Sequence, residues 1–141
     1  MVALGEALGT ALESGVVFLQ GTLGAGKTTL CRGILRAKGH TGAVKSPTFT
    51  LVEPYQLAAG TVYHFDLYRL GSADELEYMG IRDYLDGRSL CLVEWPERGR
   101  GFLPEPDLHV TIDIHRQGRI LQLAALTAAG EHILNRLDVK E

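Results

Sequence analysis

Leu4, Leu8 and Leu12 recur at helical spacing near the start of the chain, with Ala3, Ala7 and Ala11 beside them. That period predicts a short amphipathic helix over 1–14, ended by Gly15. The unbroken apolar run Val16–Gln20 predicts a buried strand. A second helical pattern runs from Lys27 to about Lys38, with Gly39 as a left-handed terminus and Arg36 and Lys38 suited to the negative end of the helix dipole. Two β-rich runs, Thr48–Gln56 and Thr61–Leu70, flank Leu57-Ala58-Ala59-Gly60 and predict an antiparallel hairpin. In the second run Val62, His64, Asp66 and Tyr68 share one face, and Tyr63, Phe65 and Leu67 the other. Ser72 and Glu75 form a capping box for a helix to about Met79, and Ile81–Leu85 adds a further turn closed by Asp86-Gly87. Ser89–Trp95 is a buried strand ending in an acid, with Pro96 as its stop and a loop over Arg98–Pro106. Leu108–His115 and Arg119–Leu126 alternate around Arg116-Gln117-Gly118 and predict a second hairpin, followed by a helix from Ala128 to about Leu137. The sum is an α/β fold around a sheet that is parallel in part and mixed overall.

Composition narrows the partners. The 141 residues suit one domain, with 45% apolar and 22% charged residues. A net charge of −3 gives no broad basic footprint, which argues against sequence-independent nucleic-acid binding. No apolar run reaches about 18 residues, so no membrane partner is expected. No signal peptide precedes the first strand, and a cytoplasmic location is expected. Cys31 and Cys91 are expected as small core hydrophobes rather than a disulfide.

The chemistry begins between the first strand and the second helix, at Gly21-Thr22-Leu23-Gly24-Ala25-Gly26-Lys27-Thr28. This is the G-x-x-x-x-G-K-[ST] phosphate-binding pattern in its strand-to-helix context. Gly21, Gly24 and Gly26 let the backbone turn tightly and present its N–H groups to phosphate oxygens. The helix N-terminus adds partial positive charge. Lys27 reaches the β- and γ-phosphates, and the Thr28 hydroxyl is a Mg²⁺ ligand in this pattern.

Hydrolysis also needs a metal-holding acid and a group that orients water. Glu94, at the C-terminal end of an apolar strand, has the position of the metal acid; the alternative is a strand-end carboxylate facing solvent. Asp66 reads as a second metal-shell or water-orienting acid, or as the ion-pair partner of Arg69 or Lys45. His64 reads as a hydrogen-bonded strand residue. Ser46, Thr48 and Thr50 are either a nucleotide-sensing switch or the start of a strand. Arg98 and Arg100 belong to a short lid or to a solvated, partner-facing loop. There is no D-x-x-G after a strand and no Cys/His cluster with zinc-ligand spacing along the sequence. A small-molecule kinase and a nucleotide-gated binding module both stay open beside an ATPase.

Ser46-Pro47-Thr48-Phe49-Thr50-Leu51-Val52-Glu53, His64-Phe65-Asp66-Leu67-Tyr68-Arg69, Glu77-Tyr78-Met79-Gly80-Ile81-Arg82 and Val93-Glu94-Trp95-Pro96-Glu97 together resemble the TsaE (YjeE) family. The resemblance covers roughly residues 4 to 135. It implies a P-loop NTPase fold with a mostly parallel central sheet flanked by helices and two antiparallel hairpins. It implies a Mg²⁺-dependent ATPase serving threonylcarbamoyladenosine synthesis in tRNA through the TsaD and TsaB proteins, with tRNA touched only indirectly or weakly. Carried onto these positions, residues Gly21–Thr28 with Thr29 bind the phosphates, Lys27 neutralises them, and Thr28 and Glu94 hold Mg²⁺. Asp66 is then essential for hydrolysis, and Trp95 lies near the nucleotide. The exposed parts of Ser46–Thr50 and of the Trp95–Arg100 loop are the candidate surface for TsaD. The family's N-terminal strand, with polar residues near the base, is expected to be absent here. With no arginine finger or glutamine poised in cis, turnover by the isolated protein is expected to be slow.

Overall fold

In the computed structural model, which describes residues 2–22, 24–44 and 51–137, the apolar run after Gly15 becomes the central strand β1 (Gly15–Gly21). Before it lies helix α1 (Val2–Ala11); after it come α2 (Lys27–Ala37), β2 (Val52–Leu57) and β3 (Gly60–Asp66). Two short helices, α3 (Asp74–Tyr78) and α4 (Ile81–Tyr84), lead to β4 (Leu90–Glu94) and a 3-10 turn at Pro96–Gly99. The chain closes with β5 (Leu108–His115), β6 (Gly118–Ala125) and α5 (Ala128–Arg136). The sheet order is β2-β3-β4-β1-β5-β6. β3, β4, β1 and β5 are parallel, and each hairpin adds one antiparallel strand at an edge. Both expected hairpins are therefore present, and each lends its inner strand to the parallel core.

Period-two alternation divides the interior. Val17 and Leu19 of β1 and Leu90 and Leu92 of β4 pack with α1 and α2, through Leu8, Leu12, Leu30 and Ile34. Their neighbours Val16, Cys91 and Val93 pack with Phe65, Leu76 and Ile81 on the opposite side. On the first side, α1 and α2 meet without room for side chains. A Cβ on Gly33 would lie 2.4 Å from the Val2 carbonyl oxygen, and one on Gly5 2.5 Å from that of Leu30. Lys38 Nζ donates to the Leu12 carbonyl and Arg136 to that of Ala11 at 2.6 Å, so basic side chains satisfy the end of α1. Cys31 and Cys91 are both free and buried. None of the described helices is long and apolar enough to cross a membrane.

The boundaries that depart from the periodicity include three with a clear local cause. β3 stops at Asp66, so Tyr68 is not on its face. The Asp66 carboxylate accepts from the Tyr68 N–H at 3.1 Å and turns the chain out of the sheet. At α3, Ser72 Oγ accepts from Asp74 N–H at 3.4 Å, but Glu75 accepts from Gly71 rather than closing the box on Ser72. β4 ends one residue before Trp95, and Pro96 opens the 3-10 turn instead of merely stopping a strand. Residues 48–50 of the expected first hairpin strand lie outside the described residues, and β2 begins at Val52.

Candidate functional site

The site is assembled where β1, β3 and β4 end beside the start of α2. Gly24 and Gly26 have φ of 79° and 113°, a left-handed backbone open to glycine at little cost, and Gly26 leads directly into α2. A Cβ on Gly21 would meet the Ile112 carbonyl at 2.7 Å, so the loop can leave β1 this close to β5 only with glycine there. Arg119 of β6 donates from Nε to the Ala25 carbonyl at 2.9 Å and from Nη2 to that of Gly24 at 3.4 Å. These bonds anchor the loop's carbonyls to the second hairpin. Leu23 lies outside the described residues; Thr29 sits in the first turn of α2.

Lys27 is 5% exposed, and its ammonium donates to the Gly21 and Thr22 carbonyls at 2.5 and 3.0 Å. It also lies 4.4 Å over the Trp95 ring. Burial lowers its pKa, while the Glu94, Asp66 and Glu97 carboxylates pull it back up. Trp95 reaches this position through a left-handed backbone, φ 57° and ψ 50°, immediately after β4. Such a conformation in a non-glycine residue costs on the order of 1 kcal/mol and recurs at functional sites. Tyr68 packs against Trp95 with ring centroids 4.8 Å apart and planes tilted by 54°, and Arg98 lies 5.5 Å over Tyr68.

Parallel register places Asp66 opposite Glu94 and His64 opposite Leu92. His64, Asp66, Leu92 and Glu94 thus face α2 together. Glu94 is only 2% exposed, which excludes the solvent-facing alternative. Both its carboxylate oxygens lie within 3.3–3.4 Å of Thr28 Oγ1, and Oε2 is 2.6 Å from His64 Nε2. A hydroxyl and a carboxylate at this separation are hard oxygen donors of the kind Mg²⁺ takes, so the pair expected from the sequence fits that ion. His64 is fully buried, and its Nδ1 has no hydrogen-bond partner among the described residues. A carboxylate oxygen accepts, so Nε2 is the donor of the 2.6 Å bond to Glu94.

Asp66 is half-buried, and no ion pair joins it to Arg69 among the described residues; Lys45 lies outside them. Burial raises its pKa, the Tyr68 N–H opposes this, and Glu94 adds to the rise. Cys31, one turn along α2 from Thr28, has its thiol pushed far up by burial and by Glu94 and Asp66.

The family model described as "Threonylcarbamoyl adenosine biosynthesis protein TsaE" matches residues 1–121 of this sequence. The chain belongs to the TsaE family. It is 55% identical over 120 residues to the tRNA threonylcarbamoyladenosine biosynthesis protein TsaE of Haemophilus influenzae, covering 85% of this chain and 76% of that protein. The TsaE protein of Bacillus subtilis is 41% identical over 97 residues, 69% of this chain and 60% of the relative. That of Treponema pallidum is 37% identical over 115 residues, 81% and 84% of the two chains. A crystal structure of Bacillus subtilis YdiB superposes with a TM-score of 0.75 at 30% identity, covering 96% of this chain and 85% of that one. The fold is therefore the P-loop NTPase fold expected from the loop.

Membership in the TsaE family frames what the sequence left out. His64 is a hydrogen-bonded strand residue as expected, but its partner is Glu94 itself. The signal was its place two residues before Asp66 on one strand face. Arg119 carries no functional pattern of its own: the hairpin sets its place on β6, but its reach to the loop also needs β5 to lie parallel beside β1. Of the expected TsaD-facing segments, Ser46–Thr50 lies outside the described residues, and only Arg98 and Arg100 are exposed in the other.

Proposed function

We propose that this TsaE-family chain binds ATP with Mg²⁺ at the Gly21–Thr28 loop, hydrolyses it slowly alone, and acts in tRNA threonylcarbamoyladenosine synthesis through TsaD and TsaB. The observation that carries the proposal is the convergence of Lys27, Thr28, Glu94 and Asp66 at the mouth of one glycine loop. When bound, Mg²⁺ supplies charge that neutralises the phosphates. The loop's N–H groups and the α2 N-terminus position the γ-phosphate, and the Lys27 ammonium compensates negative charge spreading over its oxygens. Thr28 Oγ1 and the Glu94 carboxylate hold the ion, with His64 fixing which carboxylate oxygen points outward. Asp66 orients the attacking water and accepts its hydrogen bond. Trp95, backed by Tyr68, covers Lys27.

Phosphate release measured with and without purified TsaD–TsaB tests this, using wild type and Asp66→Ala. The expected outcome is slow release that rises with the partners and is lost in the variant. Brisk partner-free release would contradict the slow-alone part. Label appearing on an acceptor molecule instead of free phosphate would make the chain a kinase. Full pathway function in cells carrying a hydrolysis-dead Asp66→Ala protein would leave a nucleotide-gated binding module.

A further inference from the structure

Cys31 Sγ, a ring nitrogen of His64 and a carboxylate oxygen of Glu94 lie within 4.8 Å of one another, and all three residues are buried. Individually, His64 Nε2 is 2.6 Å and Cys31 Sγ 4.0 Å from the same oxygen, Glu94 Oε2. The Thr28–Glu94 pair needs oxygen donors only, so the adjoining sulfur and nitrogen are surplus to a Mg²⁺ site. We propose that Cys31, His64 and Glu94 form a second cation site, selective for a soft divalent ion of the Zn²⁺ type, on the inner side of the Glu94 carboxylate.

Donor chemistry is the first support. Thiolate and imidazole select zinc-like ions, whereas Mg²⁺ keeps to oxygen. Geometry is the second. Bonds of about 2.0–2.3 Å to a tetrahedral ion put ligand atoms roughly 3.3–3.6 Å apart. The His64–Glu94 contact must open by under about 1 Å, and Cys31 must close by a similar amount on the carboxylate and by up to about 1.5 Å on the imidazole, shifts within the range of side-chain rotation. Charge is the third. A thiolate and a carboxylate cancel the ion's two positive charges, so the buried assembly is neutral, and the ion stabilises the thiolate that burial alone disfavours.

On binding, the Cys31 thiol releases its proton to solvent and the imidazole proton moves from Nε2 to Nδ1. Among the described residues Nδ1 has no acceptor, so binding is weaker than at a structural zinc centre and reversible. Because Cys31 follows Thr28 by one helical turn, the two sites lie back to back and share Glu94. Zinc drawing the carboxylate inward takes it from Thr28. This last consequence rests on the proposed Mg²⁺ role; the binding itself does not.

Titration of Co²⁺ into the reduced full chain without nucleotide tests the site. The expected result is a near-ultraviolet thiolate-to-cobalt charge-transfer band with tetrahedral visible bands, bleached by Zn²⁺. The two cysteines of the chain make the assignment decisive. The band should persist in Cys91→Ser and vanish in Cys31→Ser. Zinc affinity measured by competition should fall at least about 100-fold in Cys31→Ser and His64→Gln, since even outer-shell partners are worth about 10–100-fold. No charge-transfer band in wild type, a band surviving Cys31→Ser, or one lost in folded Cys91→Ser overturns the proposal. The wild-type and Cys91→Ser spectra decide the matter even where another variant folds poorly. Failure here leaves phosphate release untouched, and failure of phosphate release leaves the cobalt spectrum standing.

Discussion

On the side of the sheet covered by α3 and α4, β3 and β4 present Phe65, Cys91 and Val93, packed against Leu76 and Ile81. One residue along, on the α2 side, the same two strands present His64, Asp66 and Glu94. Among the described residues, the buried polar and charged side chains are Lys27, His64 and Glu94, and all belong to the α2 side. The first side is a packing layer that stabilises by removing apolar area from water. The second gives up some of that stabilisation to hold charge in fixed positions. Lys27 is matched to loop carbonyls and Glu94 to an imidazole and a hydroxyl, while His64 Nδ1 has no partner among the described residues. Burial raises the Asp66 pKa, and the Glu94 carboxylate adds to the rise.

The packing side can be broken without touching the chemistry. Leu76 is fully buried on α3. Leu76→Ala should cost about 2–5 kcal/mol in urea unfolding, while ATP binding well below the melting temperature stays as in wild type. Loss of binding from the folded variant would show that the two sides are not separable.

His64→Gln probes the polar side from behind. It removes the group that fixes Glu94 Oε2, and Mg²⁺ affinity in the presence of ATP should weaken about 10–100-fold with little change in fold. An unchanged Mg²⁺ titration would reduce His64 to a packing residue.

Asp66→Asn gives the smallest effect, and its sign is opposite to that of a core change. A carboxyl whose folded pKa lies above its unfolded value penalises the folded state while ionised. That penalty is complete above the folded pKa and disappears as pH falls below the ordinary aspartate value. In the nucleotide-free protein, Asp66→Asn should therefore raise Tm at pH 7, with the gain shrinking toward acid, since Asn keeps an oxygen for the Tyr68 N–H. A lower Tm at pH 7 would mean that the carboxylate is supported in a way the structure does not show.

The packing side was the more legible in sequence. Alternation at 62–67 and the apolar run before Glu94 set the strands and their inward residues, and the glycine-lysine loop declared itself by pattern. Glu94 was legible because a lone acid closing an apolar strand has few structural excuses. What eluded the periodicity depends on long-range register or on local hydrogen bonds. The His64–Glu94 pair exists only once β3 lies parallel beside β4, and Arg119 reaches Gly24 and Ala25 only once β6 folds back on β5. β3 ends at Asp66 because a carboxylate captures the Tyr68 N–H, a competition with sheet pairing that alternation does not register.

On the proposed function, the buried carboxylate of Glu94, with Thr28, holds the ion on which hydrolysis depends. The direct measurement is phosphate release from ATP across a Mg²⁺ titration, for wild type and Glu94→Gln. Mg²⁺-dependent release is expected in wild type, with a loss of at least about 100-fold in the variant at saturating Mg²⁺ and ATP still bound as seen by Trp95 fluorescence. Equal release by the two proteins, or release by wild type without any divalent ion, would contradict it.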